Sequence, residues 1–167
     1  MTNTDLAYLA GLIDGEGYIG IKKAKPYRCQ GRTTPGYSPR IQVRMVDSPG
    51  IQFLAKTLGG WTYTEKPTAN NGRPLECFQA SDKKAEAILK AVYPYLRIKK
   101  EQARTALVLA RLKRRSQKHR TKITGHRDFE HHTGKKFRVA NKSLSDQYVA
   151  WCDSLWLRCK ALNKVGR

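Results

Sequence analysis

Two carboxylate residues, Asp14 and Glu16, lie two positions apart in a segment rich in glycine. The segment reads Leu9-Ala10-Gly11-Leu12-Ile13-Asp14-Gly15-Glu16-Gly17. Apolar residues at helical spacing precede them, and the glycines end that helix. A carboxylate at the carboxyl end of a helix faces the negative end of the helix dipole, so a bare anion is disfavoured there. A divalent cation reverses this, because Mg²⁺ accepts carboxylate and carbonyl oxygens, completed by water and phosphate. We therefore predict that Glu16 and the carbonyl of Gly15 bind a divalent metal ion.

A stripe of small residues follows one face of the same helix. Ala7, Gly11 and Gly15 are spaced at i, i+4 and i+8, which lets two helices approach more closely than larger side chains permit. The stripe could instead pack on the chain's own sheet. Because the motif occurs once in the chain, its natural partner is the same helix of a second copy, related by a two-fold axis. We predict a homodimer with Ala7, Gly11 and Asp14 at its interface, although Asp14 could instead face its own backbone.

The overall charge points to a polyanionic partner. The 167 residues include 33 Lys and Arg against 13 Asp and Glu, a formal net charge of +20. Such a chain repels itself unless a polyanion neutralises it, which favours nucleic acid. No stretch reaches the roughly 18 uninterrupted apolar residues of a membrane-spanning helix, so membrane binding is disfavoured. The most basic stretch runs from Arg111 to Lys142, and we expect it to follow backbone phosphates.

The hydrophobic periodicity predicts an α+β chain with the order α-β-β-α-β-β-α and a four-stranded antiparallel sheet. One domain is expected over 1–167, with additional C-terminal helices: one from Lys99 to about Arg115, and a last one at about 143–163. A basic, turn-rich loop is expected between them at about 116–142. One sheet face packs on the helices, and the other carries long polar side chains suited to phosphates and base edges, which predicts DNA-binding residues Lys22, Lys25, Arg40, Gln42 and Arg44. The alternative is an ordinary solvated face, and the pattern does not orient Tyr18, Tyr63, Glu76 and Phe78.

The segment Leu9 to Gly17 closely resembles the signature of the LAGLIDADG homing endonucleases, from which it departs at Gly15 and Glu16. The order of elements, Tyr95 to Lys99 and the closing Ala161-Leu162-Asn163 also resemble single-motif members. The resemblance implies the homing endonuclease fold and a homodimer that cuts both strands of a long, near-palindromic DNA site. It implies Mg²⁺ as cofactor, with Mn²⁺ as a substitute and Ca²⁺ supporting binding without cleavage. It further implies an intron-encoded, intracellular enzyme of a bacterial, phage or organellar genome, and no targeting signal is visible.

The same resemblance suggests two further catalytic residues. Lys99 matches the basic residue of the family's active site, whereas the sequence by itself would favour an ordinary solvated lysine. Arg44 stands near a polar position at the end of the second strand that helps to place water in the family, and the register there is open. The predicted catalytic residues are therefore Glu16, Lys99 and Arg44.

Three other functions are compatible with parts of the pattern. An RNA-splicing maturase that binds intron RNA would share the family signature, as would a DNA-binding regulator that has lost cleavage. A basic ribosomal or chromosomal protein would share the charge, but it would not need a small-residue helix that ends in a carboxylate.

Overall fold

A computed structural model describes residues 2–26, 33–46, 48–67, 72–115, 122–130 and 133–164. Five helices and six strands occur in this part of the chain. They are α1 (Asn3–Glu16), β1 (Gly17–Ala24), β2 (Gly36–Met45), α2 (Ser48–Leu58), β3 (Trp61–Glu65), β4 (Leu75–Ser81), α3 (Asp82–Val92), α4 (Lys100–Arg115), β5 (Lys122–Glu130), β6 (Lys136–Ser143) and α5 (Asp146–Lys164). The α+β class and the predicted order of the first seven elements are confirmed.

The main sheet has the antiparallel strand order β1-β2-β4-β3. Gly17 lies opposite Val43, and Val43 lies opposite Phe78, so the end of α1 leads directly into the sheet. Neighbours in this register share a face, because side chains alternate along each strand. Ile19, Ile41 and Phe78 are fully buried under the helices, whereas Gln42 and Gln79 lie opposite each other on the other face.

The register also orients the four residues that the sequence pattern left open. We call the sheet face under the helices the helix face and the opposite one the open face. Tyr18 and Tyr63 lie on the open face with Gln42 and Arg44, whereas Glu76 and Phe78 lie on the helix face. Tyr18 extends over Gly20, where an added Cβ would stand 2.2 Å from the Tyr18 hydroxyl oxygen. The glycine therefore leaves room for the ring on the open face.

A second apolar cluster joins α5 to the outer end of the β1–β2 hairpin, and its buried members are Ile21, Tyr37, Leu109, Tyr148, Cys152 and Cys159. Asp153 on α5 accepts hydrogen bonds from Lys23 at 2.5 Å and from Tyr37 at 2.8 Å. Lys23 also lies 5.0 Å from the centre of the Trp156 ring, a cation–π contact. Helix α5 thus fixes the hairpin through both apolar and charged contacts.

The predicted basic loop at about 116–142 is largely a β-hairpin. Strands β5 and β6 pair with each other in a separate two-stranded sheet, with Phe129 opposite Phe137. The concentration of Lys and Arg concealed the strand propensity of residues such as Phe129, Phe137 and Val139. Gly134 takes a φ of 76° in the turn, a conformation that glycine adopts without strain. Part of the predicted loop, residues 116–121 and 131–132, lies outside the described residues.

The last helix begins at Asp146, slightly later than predicted. None of the helices in the described ranges has the length and the apolar character that crossing a membrane requires.

Candidate nucleic-acid interface and cleavage site

Asp14 is buried at the end of α1 and links it to the start of α4. Its carboxylate accepts the backbone N–H groups of Arg97 at 2.6 Å, Ile98 at 3.1 Å and Lys99 at 2.8 Å. These N–H groups lie at the amino end of α4, where a helix carries unpaired donors and favours an anion. The Asp14 carboxylate is therefore used within the chain, on backbone groups some 83 to 85 residues away, and its place at a dimer interface stays a prediction.

Lys99 makes the reciprocal contact, from the start of α4 to the end of α1. Its ammonium donates to the carbonyl oxygens of Ile13 at 3.1 Å, of Asp14, and of Gly15 at 3.4 Å. A cation is favoured at this end of a helix, where carbonyls lack partners. Burial lowers the pKa of Lys99, and the nearby carboxylates of Asp14 and Glu16 oppose that shift. Lys99 is thus a half-buried lysine held beside the predicted metal ligands, and the alternative of an ordinary solvated lysine does not describe it.

Glu16, two residues after Asp14, has a different environment. It is exposed at the last position of α1, and no described residue forms a hydrogen bond or an ion pair with it. Gly15 beside it is also exposed. Among the described residues, Glu16 therefore presents an unpaired carboxylate at the end of the helix, directly after the residue whose carbonyl contacts the Lys99 ammonium.

The small-residue stripe of α1 faces outward. Ala7, Gly11 and Gly15 are all exposed, and a Cβ added at Gly11 or Gly15 would meet no described atom within 4 Å. The face that packs on the sheet consists instead of Leu9, Ala10 and Ile13. The alternative of a stripe packed on the chain's own sheet is therefore wrong.

A chain of polar side chains crosses the open sheet face over β2, β4 and β3. Arg40 donates through Nη2 to Oε1 of Gln79, and Gln42 donates through Nε2 to the same oxygen at 3.2 Å. Gln42 Nε2 also donates to the Tyr63 hydroxyl at 3.2 Å, and Tyr63 donates to Glu65 at 3.1 Å. The predicted residues Arg40 and Gln42 thus share one network, with Gln42 only 8% exposed at its centre.

Arg44 lies at the other end of this network. Its Nη2 forms an ion pair with Glu65 at 3.0 Å, and half of the Arg44 side chain remains exposed. The register pairs Val43 with Gly17, so the backbone of Arg44 lies beside the end of α1. This position is compatible with the two predicted roles of Arg44, in binding DNA and in catalysis.

Two predicted DNA-binding residues lie apart from this network. Lys22 is exposed on β1, on the same sheet face as Gln42, and Lys25 is exposed just after β1 ends. Both carry positive charge toward the outer end of the β1–β2 hairpin.

Gln79 and Glu65 were not predicted from the sequence, and the orientation of Tyr63 was left open, although all three contact predicted residues. Their relevance depends on the pairing of β2 with β4 and of β4 with β3, which places residues from three strands side by side. Alternation alone identified Arg40, Gln42 and Arg44 because they lie on one strand. The available signal for the others was the same alternation in Trp61, Tyr63 and Glu65, once the pairing is known.

Solved structures of homing endonucleases resemble this fold. I-CvuI, in a complex with DNA in the presence of Mg, has a TM-score of 0.64 and 15% identity over 95% of this chain and 82% of that chain. The archaeal intron-encoded I-Vdi141I, complexed with DNA, has a TM-score of 0.52 and 18% identity over 66% of this chain and 69% of that chain. No family model matches the sequence, and no curated protein matches it.

This likeness establishes the fold class. Other solved structures that match are described as LAGLIDADG homing endonucleases bound to DNA. The chain has the LAGLIDADG homing endonuclease fold, in agreement with the resemblance of its first helix to the LAGLIDADG signature.

Proposed function

We propose that this chain is a site-specific homing endonuclease that acts as a homodimer and hydrolyses both strands of a long DNA duplex in a Mg²⁺-dependent reaction. The observation that carries the proposal is the end of α1, where the exposed Glu16 follows Gly15, whose carbonyl oxygen lies 3.4 Å from the Lys99 ammonium. The same helix exposes a small-residue stripe and leads into a sheet whose open face carries donors for DNA. The resemblance of the motif supports an intron-encoded origin.

The residues at this position fit a divalent cation. Glu16 offers oxygens that no described residue uses, and Gly15 offers a carbonyl that only the Lys99 ammonium approaches among the described donors. Among the described residues, no group of three or more His, Cys, Asp and Glu could form a cage by itself. Mg²⁺ is commonly held by one or two carboxylates together with water and phosphate oxygens, so a small donor set at a DNA-binding surface suits it. When bound, the ion would supply Lewis acidity and an activated water.

The chain's own residues position the phosphate and compensate its charge. Lys99 is fixed by the carbonyls of Ile13 and Asp14, so its positive charge is held at the end of α1 rather than on a mobile side chain. A fixed charge stabilises the added negative charge of the phosphoryl group without reorganisation. Asp14 holds the backbone of Lys99 and thereby acts as a positioning residue.

The open stripe on α1 supports the dimer. One chain has one such helix end, whereas cleavage of both strands needs two, and a two-fold axis through the paired stripes would bring two copies of Glu16 close together. Sedimentation of the protein on a full-length site should give two copies of the chain per duplex. A monomer on the full site would contradict this part of the proposal.

The proposal can be tested with purified protein and a randomised duplex library. The library is incubated with Mg²⁺, and the cut ends are sequenced; parallel reactions contain Mn²⁺, Ca²⁺ or a chelator. We expect a defined, near-palindromic cut site with Mg²⁺ and Mn²⁺, and binding without cleavage with Ca²⁺. Selection of one sequence without cleavage under any of these conditions would instead identify a DNA-binding regulator. Tighter binding to structured RNA than to any duplex would favour a maturase.

A further inference from the structure

The hydrogen-bond network on the open sheet face has a fixed direction. A guanidinium has only donors, so the atom of Gln79 that faces Nη2 of Arg40 is its carbonyl oxygen. Gln42 faces that same oxygen and must present its amide nitrogen. At the other end a carboxylate only accepts, so Tyr63 donates to Glu65 and accepts from Gln42. Arg40 and Glu65 therefore determine the orientation of both amides.

This orientation leaves Gln42 and Gln79 with different hydrogen-bonding groups available to a ligand. Gln42 uses its Nε2 for Gln79 and Tyr63, and its side chain is almost fully buried. Gln79 is partly exposed, its oxygen is occupied twice, and its Nε2 donates to no described residue. Gln79 therefore presents two N–H donors and no available acceptor to a ligand on this face.

We propose that Gln79 is a specificity-determining residue that recognises a guanine and rejects a cytosine, and that Gln42 positions it; this inference rests on the proposed function. A free glutamine binds adenine by donating to N7 and accepting from the N6 amino group. Gln79 cannot accept, because Arg40 and Gln42 occupy its oxygen. In the major groove guanine presents two acceptors, O6 and N7, whereas cytosine presents an amino donor that would face the Gln79 donors.

In this proposal Gln42 acts as a positioning residue for Gln79, whereas its place on the strand predicted a direct contact with DNA. Its donated hydrogen bond holds the Gln79 carbonyl oxygen, and Gln42 as a whole is almost fully buried. Replacing Gln42 should loosen the orientation of Gln79 and so weaken the preference for guanine at that position. The base preferences at all other positions should stay the same.

The test is a selection of duplexes by binding in Ca²⁺, with the same randomised library for wild type and each variant. Gln79→Glu retains an oxygen for Arg40 and Gln42 and replaces only the free amide by a carboxylate oxygen, which accepts from cytosine N4. We expect one position in each half-site to change from guanine to cytosine, by roughly fivefold to a hundredfold, the discrimination of a good base contact. Gln79→Met should lose the preference at that position only.

Two further variants distinguish the positioning role of Gln42 from a general effect of added negative charge on the selected sequences. Gln42→Met should weaken the guanine preference at the position set by Gln79, and altered preference at a different position would overturn its positioning role. Gln147→Glu carries the same change of charge on the exposed first turn of α5, away from the sheet, and should keep the wild-type profile. If the profiles of Gln79→Glu and Gln79→Met coincide with wild type, the inference is wrong while the proposed function stands. If wild type selects no sequence, the proposed function itself fails.

Discussion

The junction of α1 with α4 and the open sheet face use polar groups in opposite ways. At the junction, Asp14 binds three backbone N–H groups and Lys99 binds carbonyls in return, so each helix end satisfies the other. On the sheet face, the side chains from Arg40 to Glu65 are hydrogen-bonded to one another, but the buried Nε of Arg40 has no hydrogen-bond partner among the described residues and the Gln79 amide nitrogen is left available. In the proposed function, the junction would hold a fixed charge for the reaction, whereas the sheet would offer directed donors for DNA recognition.

Unlike Asp14, Glu16 has no partner for its carboxylate among the described residues at the junction. Its substitution should have the largest effect on cleavage. Glu16→Gln keeps the size of the side chain but removes the anionic oxygen that a divalent ion needs, and metal stabilisation of the transition state contributes several kcal/mol. We expect cleavage in Mg²⁺ to be abolished while binding in Ca²⁺ is unchanged or tighter. Glu101→Gln, on an exposed turn of α4, is the matched control. Cleavage by Glu16→Gln at near the wild-type rate would show that the metal assignment is wrong.

The affinity of the open sheet face for DNA should fall steeply as the salt concentration rises. Counterions are released when Lys and Arg bind phosphates, so about six to ten contacts would weaken affinity roughly a thousandfold or more between ~50 and ~200 mM salt. The measurement is a titration of a labelled duplex at several salt concentrations. Arg40→Gln should make the slope shallower, whereas Glu16→Gln should leave it unchanged. A slope near zero for the wild type would be incompatible with phosphate binding by this surface.

Lys99 should have a smaller effect on cleavage than Glu16. Lys99→Met removes the fixed ammonium at the end of α1, and we expect cleavage to slow by about a hundredfold, in the range of a positioned catalytic group. The Mg²⁺ concentration that gives half of the maximal rate should stay the same, since the Glu16 oxygens remain. Lys100→Met, one residue later, is the control. A changed metal requirement in Lys99→Met would place Lys99 among the groups that bind the ion.

Asp14 should affect stability. Asp14→Asn replaces one of the two acceptor oxygens by an amide nitrogen, which then faces at least one of the three N–H donors, and the loss of charged hydrogen bonds in a buried site costs about 2 kcal/mol or more. Urea unfolding should show this loss as a lower midpoint with an unchanged slope. A variant within about 0.5 kcal/mol of the wild type, the usual range for a surface substitution, would show that the junction depends little on this carboxylate.

The smallest effect concerns the anchor at the outer end of the hairpin. Burial disfavours the charged form of Asp153, but hydrogen bonds from Lys23 and Tyr37 outweigh it and lower the pKa of Asp153. A carboxylate whose folded pKa lies below its unfolded pKa adds stability above the unfolded value, about 3.9, and loses it as the pH falls through the folded value. Asp153→Asn should therefore cost about 1 kcal/mol at pH 7. The difference from wild type should shrink below about pH 4 in urea unfolding, and a constant difference would exclude an ionised Asp153 as its source.

The sequence was sufficient for the five helices and the four strands of the main sheet, and it named part of the candidate site. Strong alternation at Ile19 and Ile21 and the helical period before Gly15 predicted β1 and α1, because one face of each is buried. The partners of Asp14 could not be predicted, since they lie 83 to 85 residues away and depend on how α4 packs against α1. The same limit applies to Gln79, whose role depends on strand pairing. The β5–β6 hairpin was missed because its basic composition obscured its apolar residues.

The contact between α5 and the sheet has a consequence for solubility. Strand β1 is at the edge of the main sheet, where unpaired backbone groups are a template for another strand. Asn163 on α5 donates through Nδ2 to the carbonyl of Ile19 at 2.9 Å and so occupies one of these edge groups. A protein truncated before α5 would expose this strand together with Ile21 and Tyr37. Aggregation through β1 would then compete with correct folding, so the last helix also protects the chain from intermolecular strand pairing.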